Sequence, residues 1–184
     1  MKESDNKSHR QIISYNKELG HSFVPSINAR LLDDKGGYFI KTNSLGFRSN
    51  IEFKEKKEGR RILFFGDSNT AADGICNEER YSELLGKYFD AEVFNYAISG
   101  TGTDQQYLIW EKFAKKIEAD LIVIGVLVEN IERNKVEYRE TINSFTKEKT
   151  LTPKPFFKIE KDELVLKNSP VKRFDGDFKE IKKS

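Results

Sequence analysis

The chain has 184 residues, room for one ordinary domain and little more. Lys and Arg number 32 against 30 Asp and Glu, a formal charge of +2, which argues against a general nucleic-acid or membrane-surface binder. One cysteine, Cys76, excludes an intrachain disulfide framework and a multi-Cys zinc site, and two histidines, His9 and His21, leave little for a His-based metal centre.

Residues 1–36 read as a polar, irregular arm, with Pro25 and the Gly36-Gly37 pair marking turns. Its first residues lack the apolar stretch of a secretory signal. The longest apolar run, Leu121 to Val128, falls far short of the ~20 residues that span a bilayer. The expectation is a cytoplasmic chain with no membrane span. Tyr38 to Thr42 is a short strand candidate, and Asn43-Ser44-Leu45-Gly46-Phe47-Arg48 a turn. Glu52 to Arg61 mixes both charge signs and reads as a solvated connector.

At Arg61 the pattern changes. Ile62-Leu63-Phe64-Phe65 is apolar at every position, as expected of a parallel strand buried on both faces. It runs into Gly66-Asp67-Ser68-Asn69-Thr70. Tyr81, Leu84, Leu85, Tyr88 and Phe89 share one helical face, and Tyr81 and Tyr88, like Trp110 and Phe113 further on, read as core. Val93 to Tyr96 is a second strand, followed by the glycine-rich turn Ser99-Gly100-Thr101-Gly102. Thr103-Asp104-Gln105-Gln106 fits a capping box opening a helix that presents Ile109, Trp110, Phe113, Ala114 and Ile117. Leu121 to Val126 is a third buried strand, Glu129 to about Ser144 a loop and helix. Phe156–Ile159 and Leu164–Leu166 form a hairpin. Only 37% of residues are hydrophobic, so the core is thin, and 14 Phe and 7 Tyr widen it.

Strand, helix, strand, helix, strand over residues 61–128 argues for βαβ units and a parallel sheet, whose sites lie at the carboxyl ends of strands. All three strands end in residues with chemistry. Ser68 has its hydroxyl near the sheet edge, but it needs a base to become a nucleophile. Gly100 lets a backbone N–H approach a ligand closely. Asn130 can donate a neutral amide to an oxyanion. Each feature alone also fits plain structure: a helix cap, an ordinary turn, a loop asparagine.

Together the three blocks resemble the SGNH (GDSL-type) hydrolase superfamily. The serine block is Ile62 to Gly74, the glycine block Phe94 to Gln105, and the asparagine block Asp120 to Asn134. The upstream Asn43-Ser-Leu-Gly-Phe-Arg stretch is similar to one found in bacterial members tied to surface polysaccharides. The resemblance spans roughly residues 40–170. It implies a three-layer α/β/α fold of flavodoxin-like type, with 1–60 as an N-terminal arm and 61–184 as the hydrolase-like domain. Ser68 is then the nucleophile. Its own N–H, the Gly100 N–H and the Asn130 amide form the oxyanion hole, and Asp67 supports the turn. The implied reaction is hydrolysis of an acylated carbohydrate or small ester, or acyl transfer to a sugar, with no metal or organic cofactor.

Two features depart from the family. Its third block reads Gly-x-Asn-Asp; here Val128-Glu129-Asn130-Ile131 leaves a register with Glu129 on the asparagine as the alternative. The family's Asp-x-x-His base segment has no counterpart, because no histidine follows His21 and Asp175-Gly-Asp177 is not followed by one. The chain thus reads as a member incomplete on its C-terminal side. His9 and His21 are expected at the surface of the arm, and Cys76 as a small buried apolar residue. Two competing readings stand beside the hydrolase: a carbohydrate- or ester-binding module without turnover, and a phosphate or nucleotide binder using Ser99 to Thr103. The latter lacks a P-loop lysine.

Overall fold

The computed structural model describes residues 12–32, 36–142 and 149–173. Residues 12–32, within the segment read as an irregular arm, instead fold into strands. β1 (Ile13–Asn16) and β2 (Gly20–Phe23) form an antiparallel hairpin, with Tyr15 opposite His21. β3 (Asn28–Leu31) pairs with β4 (Tyr38–Lys41), the strand expected there. The polar residues of β2 hide it in the sequence, because their burial comes from distant segments rather than from a local pattern. Leu19, Phe23, Leu31, Ile40 and Phe47 join Leu63, Phe65, Phe94 and Tyr96 in one apolar cluster.

β5 (Arg60–Phe65) is the centre of a three-stranded parallel sheet ordered β6-β5-β7, with β6 (Ala91–Asn95) and β7 (Leu121–Ile124) on either side. As the apolar run predicts, it is buried from Arg61 to Phe65. Its alternate side chains meet different partners. Phe64 stands edge-on to Tyr81, while Leu63 and Phe65 join the cluster that holds Leu108 and Ile109. Arg61 is buried rather than solvated: its guanidinium pairs with Glu92 at 2.7 Å and lies 4.4 Å from the Phe94 ring centre.

Three expectations are corrected. β7 is an exposed edge strand, with Leu121, Ile122 and Ile124 about half exposed, because nothing pairs its outer side among the described residues. α2 (Tyr81–Phe89) forms as predicted, but it buries its small face, Ser82 and Gly86, while Leu84, Leu85, Tyr88 and Phe89 face outward. Gly86 is what allows this: a Cβ there would lie 2.4 Å from Val93 Cγ2. The N-cap is Gly102, one residue earlier than predicted, and only half of a capping box forms. The Gln105 side-chain oxygen accepts from the Gly102 N–H at the start of α3 (Thr103–Ile109), while glycine has no side chain to return the bond. A π-helical turn, Trp110–Ala114, continues α3.

After β7 come a short 3₁₀ turn, Val128–Asn130, and α4 (Ile131–Asn134). β8 (Tyr138–Ile142) then takes part of the segment expected to be loop and helix, paired with β9 (Lys149–Pro153). The predicted final hairpin is present as β10 (Phe156–Glu160) and β11 (Glu163–Lys167). No helix among the described residues is long and apolar enough to cross a membrane.

Candidate active site

With β5 central, the chain leaves it toward β6 on one side and reaches β7 on the other. Such a reversal opens a crevice at the carboxyl end of the middle strand. Ser68, Gly100 and Asn130 follow β5, β6 and β7 respectively, around that end.

The turn after β5 is set by small residues packed on Thr70. A Cβ on Gly66 would lie 2.1 Å from Thr70 Oγ1, and one on Gly125 2.3 Å from it. Thr70 Oγ1 in turn lies 3.0 Å from the Tyr81 hydroxyl. Asp67, buried, caps α1 (Ser68–Ala71) by accepting from the Asn69 N–H at 2.9 Å. Its other oxygen accepts from Asn130 Nδ2 at 3.1 Å and from Arg133 Nη1 at 3.3 Å. Asp67 therefore supports the turn, as expected, and also ties it to the segment after β7. The segment after β6 is tied in too, because Ile98 N–H donates to the Gly66 carbonyl and Arg133 Nη1 to the Thr101 carbonyl.

Ser68 is half-buried, and its hydroxyl makes no hydrogen bond among the described residues. The backbone N–H groups of Ser68 and Gly100 are likewise unspent there. Gly100 has φ of +80°, a conformation that glycine adopts without strain. Asn130 is buried. One of its two amide hydrogens goes to Asp67, and its Oδ1 has no hydrogen-bond partner. Asn130, rather than exposed Glu129, is the residue that meets Asp67.

His21 is not at the surface. It is 4% exposed, and its Nε2 lies 3.0 Å from the Ser99 carbonyl oxygen. Burial first, then the Arg139 charge, push its imidazole down to about 3, so it is neutral near pH 7. Cys76 is half-buried and accepts from the Phe39 N–H through its sulfur at 3.3 Å. His9, Asp175 and Asp177 lie outside the described residues. No histidine or carboxylate hydrogen-bonds to Ser68 among the described residues, and no group of three or more His, Cys, Asp or Glu there could hold a metal ion.

Two arginines were not foreseen. Arg133 stands three residues after Asn130, one helical turn on, a spacing that could have flagged it. Arg139 arrives from β8 and lies against Gly100, its guanidinium atoms 2.6–2.9 Å from where a Cβ on that glycine would sit. No family model matches the chain, and no curated protein matches it.

Proposed function

We propose that the chain is a serine ester hydrolase of SGNH type, acting on an acylated carbohydrate or another small ester. One observation carries the proposal: three donors at the carboxyl ends of adjacent strands, the Ser68 hydroxyl and the Ser68 and Gly100 N–H groups, are left unspent by the fold. Such donors are costly to leave unpaired unless a ligand or water takes them.

In this reading Ser68 Oγ attacks the ester carbonyl carbon as its proton passes to water, no side-chain base reaching it among the described residues. The oxyanion accepts from the two N–H groups and from the second amide hydrogen of Asn130. Collapse expels the alcohol and leaves an acyl-serine, whose acyl group passes to water or to a sugar hydroxyl. The strand order β6-β5-β7, with partners on both faces of β5, supports the flavodoxin-like layering that goes with this reading.

A second reading, ester or sugar binding without turnover, is favoured by the lack of any base on Ser68 among the described residues. Without a base, oxyanion stabilisation alone retains a residual rate of roughly 10³–10⁴ over water. Intact-mass labelling with a fluorophosphonate separates the two. The hydrolase reading expects one phosphonyl group per chain on the wild type and none on Ser68→Ala. A folded wild-type chain that takes no label overturns it and leaves the binding module.

A further inference from the structure

We infer that the cleft carries an anion subsite beside Gly100, built from the guanidinium groups of Arg139 and Arg133. The ester it takes then bears a carboxylate, sulfate or phosphate group close to the bond that is cleaved. The substrate half of this inference rests on the hydrolase reading; the binding half does not.

The first argument is hydrogen bonding. A guanidinium has five N–H donors in a fixed fork. Among the described residues Arg139 spends none of them on a hydrogen bond or ion pair. Its side chain is half-buried, and its nitrogens are not among the buried unpartnered atoms, so they remain open to solvent. Gly100, lacking a side chain, is what lets the fork lie this close to the loop. The Gly100 N–H is unspent as well, so the residue against the fork adds a second kind of donor.

The second argument is charge. Around this loop Arg133 is paired with Asp67, and Lys154 with Asp104. Asp73 accepts from the Ser99 hydroxyl at 2.6 Å and lies beyond ion-pair distance of Arg139. Arg139 is therefore a charge in excess. Burial first, and then the neighbouring Arg133 charge, lower it to about 10, against a smaller opposing pull from Asp73, so the guanidinium is held without a paired anion of its own. An oxyanion taken by the Arg139 fork offsets that burial and repulsion, since bidentate guanidinium pairing is among the strong charge-assisted interactions.

The test is calorimetric titration of the full chain with inorganic phosphate, sulfate and acetate at one ionic strength, set with chloride. Wild type, Ser68→Ala and Arg139→Met are compared. Wild type and Ser68→Ala are expected to bind at least one of the three anions, and Arg139→Met to bind it about tenfold more weakly or worse. The preferred anion tells a phosphate or sulfate substrate from a carboxylate. Equal affinity in Arg139→Met, or no binding by wild type, overturns the inference. Should Arg139→Met fail to fold, Arg139→Lys keeps the charge and loses the fork, and undiminished affinity there overturns the inference equally. Anion binding without fluorophosphonate labelling leaves the subsite standing and overturns only the hydrolase. Labelling without Arg139-dependent binding does the reverse.

Discussion

His21 Nε2 lies 3.0 Å from the carbonyl oxygen of Ser99, the same peptide unit whose N–H belongs to Gly100. A carbonyl only accepts, so Nε2 carries the proton and Nδ1 is bare. The C=O and N–H of a planar trans peptide point opposite ways. Gripping the oxygen from β2 therefore fixes where the Gly100 N–H is aimed. The Ser99 hydroxyl, donating to Asp73, anchors the same residue a second time. His21 is on this reading a positioning residue, not the base.

This arrangement makes stability depend on pH. The folded-state pKa of His21 is lowered from 6.5 to about 3, with burial the largest cause. Between those values the unfolded chain binds a proton that the folded chain does not. The stabilisation is thus present in full above 6.5 and is lost as pH falls toward about 3, by up to about 1.4 kcal/mol per pH unit. Urea unfolding of wild type and His21→Gln across that range checks it, since Gln can donate to Ser99 but does not titrate. The stability difference between the two proteins is expected to shrink below pH 6.5 and to be flat above it. Parallel curves would mean that His21 is not held neutral.

The sequence shows the central strand because Ile62 to Phe65 is apolar at every position, as a strand covered on both faces requires. Leu121 to Ile124 reads the same way, yet Leu121, Ile122 and Ile124 are about half exposed. Ser68 and Asn130 are legible because each follows such a run, and Gly100 because it follows the short Val93 to Tyr96 strand, whose apolar run Asn95 interrupts. Periodicity failed on α2 for a physical reason: a helical stripe says which face is apolar, not which face the sheet touches. There Ser82 and Gly86 make the close approach, and Tyr88 is 81% exposed. β2 was illegible because Gly20, His21 and Ser22 are buried by segments far along the chain, such as Ser99 and Pro153. Arg139 was illegible for the same reason, its neighbour Gly100 lying on another strand end.

Asp67 couples three contacts, and replacing it separates them. Asp67→Ala removes the cap on the Asn69 N–H, worth about 1 kcal/mol. It also leaves the buried Asn130 amide without its acceptor, about 1–3 kcal/mol more. The Arg133 pair adds less, because that side chain is 39% exposed and solvent screens it. The expected loss in chemical denaturation is about 2–4 kcal/mol. Asp67→Asn keeps an acceptor for the cap and should lose less. A double-mutant cycle with Asn130→Ala is expected to show coupling above about 0.5 kcal/mol. Strict additivity would mean that the Asp67–Asn130 bond holds nothing together.

Gly86 sets two effects of opposite sign against each other. In a solvated helix Gly→Ala stabilises by about 1 kcal/mol. Here the added Cβ would lie 2.4 Å from Val93 Cγ2 and 3.0 Å from the Ala91 carbonyl oxygen. Val93 can rotate, but the carbonyl belongs to the backbone where α2 turns into β6, and it cannot yield without moving the strand. Overpacking of this kind costs about 1–3 kcal/mol, so the clash is expected to outweigh the helix gain. Gly86→Ala should therefore lower the unfolding midpoint, and it should do so less in a Val93→Ala background, which clears the closer contact. The consequence reaches the candidate site, because α2 also carries Tyr81, whose hydroxyl lies 3.0 Å from Thr70 Oγ1 in the turn that holds Ser68. A midpoint that rises in Gly86→Ala would mean that α2 does not rest on β6 through its small face.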